Sequence, residues 1–393
     1  MNTPLPAPDS PKDALVSFVR DAFKNRFASA GPDFVSIAPG RVNIIGEHVD
    51  YNNGIVMPAA IERWTLAAIR TRPDSIIRIH DVQFNLEAQF DTKEEVKPDT
   101  LSWLNYIKGV VAGFIRRGHP VPGFDAVLYS SIPHGAGLSS SAALEAVFAL
   151  VANKLTGAGL EPLELALLCQ QAEHVFAGVP CGLMDQMAVI SCKEEHLLEF
   201  DCRDHSVEQI PFTDPKLAIM IIDSKVKHEL AGGEYAKRRR SCDLATCILG
   251  FSSLRDVPID DLPRLLSHLD STLTKRTRHV VTEIERTRKA ALLLKAGDFP
   301  GLGQLLNESH ASLKDDYEVS CEEIDAIVAT AQALPGVYGC RMTGGGFGGS
   351  AIALVRKSDA KEIASKIQET IQLKHHFKPE IFTTVPTSGA VIV

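Results

Sequence analysis

The chain has 393 residues, 45% of them hydrophobic and 23% charged, with a formal net charge of −8. That length exceeds one ordinary core, so two domains are expected, and the acidic balance gives no electrostatic reason for nucleic acid or an anionic membrane as partner. No apolar run approaches the roughly 20 residues of a membrane span, no basic-then-apolar start marks a secretory signal, and the eight cysteines form no C-x-x-C pair, which favours reduced thiols in a cytoplasmic protein.

Ser10, Pro11 and Asp13 form a helix start, with a cap, a first-turn proline and an early carboxylate. Leu15, Phe18, Val19, Ala22, Phe23 and Phe27 then recur at helical spacing. Residues 34–38 predict a short strand, followed by strand-like runs at 65–69 and 76–79, a helix over 103–115 and a strand over 124–128. An Ala- and Leu-rich helix spans 139–155 and a second spans 162–176. Pro211 and Pro215 bracket a loop before the buried strand 217–222, which sets the domain boundary near 210 and divides the chain into 1–210 and 211–393. Helices follow at about 275–297, 300–313 and 321–333, then a glycine-rich turn, a strand over 350–355 and a helix over 359–373. The mixture lacks strict βαβ alternation, so the fold class is α+β. Paired glutamates and the lysines of the last helix read as solvated faces.

Three segments carry chemistry. The first, PGRVNIIGEHVDYNNG (residues 39–54), packs Arg41, Asn43, Glu47, His48, Asp50 and Asn52 between glycines and around apolar Val42, Ile44 and Ile45. So dense a mixture of donors and acceptors suits a ligand covered in hydroxyls, matched group by group. The second, PHGAGLSSSAALE (residues 133–145), places two glycines and three serines between a strand and a helix. Backbone N–H groups at such a helix start can cradle phosphates, although Gly/Ser turns with helix caps are common by themselves. It lacks the Gly-Lys-Ser/Thr ending of the Walker loop, so cationic help must come from elsewhere. Glu173 and the segment CGLMDQ (residues 181–186), with Asp185, form a further polar island. A glutamate on a helix is by itself more often surface charge. The third segment, GVYGCRMTGGGFGG (residues 336–349), has seven glycines in fourteen residues. Packing does not justify that entropy cost, and a rigid loop closing over phosphates or substrate explains it.

The three segments closely resemble the signature motifs of the galactokinases, in the GHMP superfamily, and the likeness runs from about residue 34 to 355. It implies a two-domain GHMP-kinase-like fold with the active site between the domains, ATP as co-substrate with Mg2+, and transfer of the γ-phosphoryl group to the C1 hydroxyl of D-galactose. By that resemblance Asp185 accepts the hydroxyl proton and Arg41, beside it, keeps it ionised and stabilises the transferring group. Glu47, His48, Val49, Asp50, Gly182 and Tyr235 line the sugar site. Gly135, Ala136, Gly137, Leu138, Ser139, Ser140 and Ser141 cradle the triphosphate, and Ser141 and Glu173 ligate the metal. Trp103 and Tyr106 stand where the family has rings near adenine, or are plain core aromatics. No protein partner is implied. Val49 departs from the usual Thr, and an apolar β-branched residue there also occurs in N-acetylgalactosamine kinases, which keeps that sugar or another hexose as an alternative. A non-catalytic galactose sensor is a second alternative, disfavoured by the intact Ser141–Ala142 pair.

Overall fold

The structure, a computed structural model, describes residues 4–27, 31–227 and 231–393. Its first half runs α1 (Lys12–Phe27), β1 (Phe34–Asn43), β2 (Ile55–Val56), β3 (Pro58–Thr71), β4 (Ile76–Asp81), β5 (Leu86–Asp91), α2 (Ser102–Arg116), β6 (Phe124–Ser130), α3 (Ser140–Thr156), α4 (Pro162–Ala172), α5 (Met184–Ser191), β7 (His196–Asp201) and β8 (Val207–Pro211). The second half runs β9 (Leu217–Lys227), α6 (Ala231–Leu249), α7 (Leu262–Leu266), α8 (Ser271–Ala296), α9 (Phe299–Asp315), α10 (Glu322–Gln332), β10 (Val337–Thr343), β11 (Gly348–Arg356), α11 (Ala360–His375), β12 (Glu380–Thr384) and β13 (Val391–Ile392).

The strands form a six-stranded sheet in the order β13-β1-β3-β6-β4-β5, a four-stranded sheet β10-β11-β9-β12, and a three-stranded sheet β2-β7-β8. Among the described residues only the β4–β6 pairing is parallel. The predicted strand at 34–38 is the first half of β1, which is buried along its whole length and continues into the first motif. A register shift between Pro39 and Gly40 offsets the pairing with β3, which resumes from Gly40–Ile61 to Asn43–Pro58, and such a bulge re-aims the side chains that follow. α1 covers the outer face of this sheet: Leu15, Val19 and Phe23 lose all exposure against Val35, Ile37, Leu66 and Val127. Each such burial contributes about 1.5–3 kcal/mol before entropy is counted.

The predicted helix at 162–176 begins at Pro162 with a capping box between Glu161 and Glu164, but α4 ends at Ala172 and a π-helical turn, Glu173–Ala177, follows. The third motif also differs from expectation. Its first half is not loop: residues 337–343 form β10, antiparallel to β11, and only 344–347 connect the two. Alternating inward residues Cys340 and Met342 join the core, so packing stabilises what glycine content alone argued against. The last strand, β13, returns to pair with β1. No helix among the described residues is long and apolar enough to cross a membrane.

Candidate active site

β1 delivers Arg41 into a cavity of about 280 Å3 that Glu47, His48, Asp50, the phosphate loop, Glu173, Gly182, Asp185, Tyr235 and Gly344–Gly345 also line. Arg41 donates from Nε to Asp185 Oδ1 at 2.8 Å and from Nη2 to Oδ2 at 2.7 Å, a bidentate fork. Its Nη1 donates to the Gly137 carbonyl at 2.6 Å, and the Ser139 hydroxyl donates to Asp185 Oδ2 at 2.5 Å. Three of the four lone-pair positions on Asp185 are thus taken, and the open one is on Oδ1. The Asp185 side chain keeps 26% of its exposure while Arg41 keeps 5%, so the carboxylate is the accessible member of the pair.

The phosphate loop joins β6 to α3, with Gly135, Gly137 and Ser139 all at positive φ. The start of α3 opens on the cavity at Ser140 and Ser141, where unpaired N–H groups favour an anion. The third motif closes on this loop from behind: Ser350 Oγ donates to the Ala136 carbonyl at 2.7 Å, and a Cβ on Gly344 would stand 2.8 Å from the Gly137 carbonyl. Ala136 is buried by these contacts and does not line the cavity.

Glu173 is buried rather than a surface charge, and the Ser141 hydroxyl hydrogen-bonds its carboxylate. Gln186 Nε2 donates to Glu173 Oε2 at 2.9 Å and to Glu145 Oε2 at 3.2 Å. Burial, and then the charge of Asp185, pushes Glu173 up to about 7; burial, and then the charge of Glu173, also raises Glu145. Sequence reasoning missed Glu145, although it stands one helical turn from Ser141 on α3. Its Oε1 is buried without a partner.

In the first motif Glu47 is held by three protein donors: Oε2 accepts from Asn43 at 2.7 Å and from Arg341 at 2.9 Å, and Oε1 accepts from the Gly344 N–H, which leaves one position on Oε1 open. His48 adopts φ 60° and is held neutral by burial, which lowers it to about 3. Asp50 starts a 3-10 turn, Asp50–Asn52; burial, with the charge of Asp185 second, pushes it up to about 7. Gly182 lies against it so closely that a Cβ there would meet Asp50 Oδ2 at 1.8 Å. Val49 corrects the sequence reading. Its side chain is completely buried in the core against Gly54 and does not line the cavity.

Ser140 and Ser141 also line a second cavity of about 350 Å3, with Trp103, Tyr106, Phe84 and Leu144. Trp103 and Tyr106 are therefore walls of an opening continuous with the phosphate loop rather than core packing alone. Trp103 Nε1 is buried with no partner.

Three family models match the chain: the GHMP kinases N terminal domain over residues 105–193, the galactokinase galactose-binding signature over 21–71, and the GHMP kinases C terminal over 280–372. Fold and site together define a small-molecule kinase of the GHMP class. A galactokinase of Streptomyces coelicolor is 42% identical over 383 residues, covering 96% of this chain and 98% of that one, and the Homo sapiens galactokinase is 43% identical over 362 residues, covering 90% and 92%. The structure of Lactococcus lactis galactokinase complexed with galactose superposes with a TM-score of 0.92 at 32% identity, covering 96% of this chain and 99% of that one. Methanococcus jannaschii mevalonate kinase, 16% identical with a TM-score of 0.66 over 92% of this chain and all of that one, shares the fold. The chain belongs to the galactokinase family, and is a sugar kinase.

Proposed function

We propose that the protein transfers the γ-phosphoryl group of ATP to the C1 hydroxyl of D-galactose, giving galactose 1-phosphate and ADP. The observation that carries this reading is the Arg41–Asp185 fork in the first cavity, beside a phosphate loop whose Ser140 and Ser141 are shared with the second. Sugar occupies the first cavity, adenine the second against Trp103 and Tyr106, and the triphosphate runs along residues 135–141 between them.

Phosphoryl transfer needs positioning and charge neutralisation more than covalent help. The open lone pair on Asp185 Oδ1 receives the C1 hydroxyl hydrogen and directs that oxygen toward the γ-phosphorus. Arg41 and Ser139 hold the carboxylate in place, and Arg41 adds positive charge beside the transferring group. Asp50, Glu47 and His48 meet the remaining sugar hydroxyls, with Gly182 and Tyr235 closing the site.

The donor set fits Mg2+: Ser141, at the end of the phosphate loop, and Glu173 line the first cavity, and the buried Glu145 behind them has an unpartnered oxygen. Among the described residues no group of three or more His, Cys, Asp or Glu could hold a metal, so phosphate oxygens and waters would have to supply the rest of the shell, as is usual for this ion. When bound, Mg2+ neutralises charge on the phosphoryl oxygens. We divide the chain near residue 210, supported by the start of the second sheet at Leu217, and place the protein in the cytoplasm, consistent with its eight free cysteines.

Val49 prompted the N-acetylgalactosamine alternative, and its burial away from the cavity removes that support. The assembled Arg41–Asp185 pair argues likewise against a non-catalytic sensor. The test is a coupled ADP-release assay with Mg-ATP and galactose, N-acetylgalactosamine, glucose, mannose and arabinose. Turnover fastest on galactose is expected. Faster turnover on another sugar would reassign the pocket, and galactose binding without turnover on any sugar would overturn the kinase reading.

A further inference from the structure

Behind the first cavity a file of hydrogen-bonding groups runs from His48 into the core. His48 Nε2 lies 3.2 Å from the Gly345 carbonyl, and His48 Nδ1 lies 2.9 Å from the Tyr51 hydroxyl. Tyr51 Oη is 2.8 Å from Tyr317 Oη, which is 3.2 Å from Cys242 Sγ. Tyr317 is fully buried and Cys242 nearly so.

One carbonyl determines the direction of the whole file. The Gly345 oxygen can only accept, so Nε2 carries the imidazole hydrogen. In the neutral ring Nδ1 must then accept, and the Tyr51 hydroxyl facing it must donate. A phenol has one hydrogen, so Tyr51 accepts from Tyr317. The same count makes Tyr317 accept from the Cys242 thiol. Burial keeps His48 neutral, which removes the doubly protonated ring as an alternative. The pattern recurs next door. His279 Nε2 lies 3.1 Å from the Glu47 carbonyl and its Nδ1 3.0 Å from the Ser312 hydroxyl. The His279 and Tyr317 ring centroids are 4.5 Å apart.

Resting on the reading of this cavity as the sugar site, we propose that Tyr51 and Tyr317 are positioning residues that keep His48 an Nε2–H donor once the substrate takes the place of the Gly345 carbonyl. The Nε2 contact to Gly345 is at the long end of the hydrogen-bond range, and it is the link exchanged when a sugar hydroxyl arrives. The hydroxyl facing His48 therefore accepts from the ring and gives its own hydrogen to a carboxylate, Asp50 or the open position on Glu47 Oε1. The site thus selects a free hydroxyl at that position over an O-methyl ether, which can accept but not donate.

The test is long-range 1H–15N correlation on histidine-labelled protein without and with galactose, for the parent, Tyr51→Phe and Tyr317→Phe. The parent should show His48 as the Nε2–H tautomer. Tyr51→Phe should keep Nε2–H without sugar, where the Gly345 carbonyl still holds it, but gain Nδ1–H population with galactose bound, and its KM for galactose should rise about tenfold, as for one lost hydrogen bond, with KM for ATP within about twofold. Tyr317→Phe should move both readouts the same way, less strongly; Tyr51, the less buried, carries the test if Tyr317→Phe does not fold. An Nδ1–H tautomer in the parent, or unchanged His48 signals and galactose KM in Tyr51→Phe, would overturn the proposal. A tautomer that responds in a protein without sugar turnover would uphold the direction of the file and overturn the sugar reading instead.

Discussion

Arg341 donates to Glu47 at 2.9 Å across 294 positions of sequence, with the Arg341 side chain fully buried and that of Glu47 2% exposed. The same guanidinium donates from Nη1 to the carbonyls of Asn43 and Ile44 at 2.9 and 3.0 Å. The end of β1 and the third motif are thereby held together beneath the cavity.

Removing one member of a buried ion pair leaves the other charge uncompensated and typically costs about 3–5 kcal/mol. Arg341→Met should accordingly lower the urea midpoint and raise the galactose KM, because Glu47 loses one of its three donors. Denaturant titration with and without galactose checks it. A variant as stable as the parent would mean that Glu47 is held by Asn43 and Gly344 alone.

Gly182→Ala makes a sharper geometric claim. The added methyl would collide with Asp50 Oδ2, and Asp50 must move or the helix start at Met184 must give way. A displacement near 1 Å at a substrate group can cost about a hundredfold, so kcat/KM for galactose should fall by roughly 10- to 100-fold while KM for ATP stays within about twofold. Steady-state kinetics with each substrate varied in turn separates the two.

For Asp185→Asn, shape is kept while the proton acceptor and half of the Arg41 ion pair are lost. A general base contributes typically about 10²–10⁴-fold, and turnover should drop by that order. Galactose and ATP should still bind measurably by calorimetry. Near-parental turnover would remove Asp185 from the mechanism.

Much of this site was legible in sequence because its residues are local. Residues 39–54 and 133–145 bring their own glycines, donors and acceptors within one turn or loop, and the structure brings both to one cavity. What was not legible is long-range or geometric. Nothing near Glu173 signals the π-helical turn that follows α4, so a helical glutamate looked like surface charge. Glycine density in 336–349 suggested a loop, but half of it pairs with β11, because sheet partners override local propensity. The fork from Arg41 to Asp185 spans 144 positions, and only the family resemblance put those residues side by side. Glu145 had a local signal, its i, i+4 spacing from Ser141, which a search for carboxylates on the Ser141 face of α3 would have found.

Asp50 offers a test by pH. Its ordinary value near 3.8 is pushed up to about 7, first by burial and then by Asp185, with Glu47 adding to the rise and Arg41 and the Tyr51 N–H opposing it. An ionised Asp50 is the better acceptor for a sugar hydroxyl, so kcat/KM for galactose should fall as pH drops through about 7, and Asp50→Asn should flatten that limb. Stability moves in the opposite sense. Between pH 4 and 7 the folded protein holds a proton that the unfolded chain releases, so the contribution from Asp50 is complete below about pH 4 and is lost as pH rises through about 7. Above pH 7 the parent carries the full cost of a buried charge. Each tenfold change in proton affinity corresponds to about 1.4 kcal/mol, so Asp50→Asn should be more stable there by roughly 1–4 kcal/mol. Near pH 4 that advantage should vanish. Denaturation midpoints of both proteins at pH 4, 6 and 8 give the comparison, and a constant difference across that range would show that Asp50 does not titrate with folding.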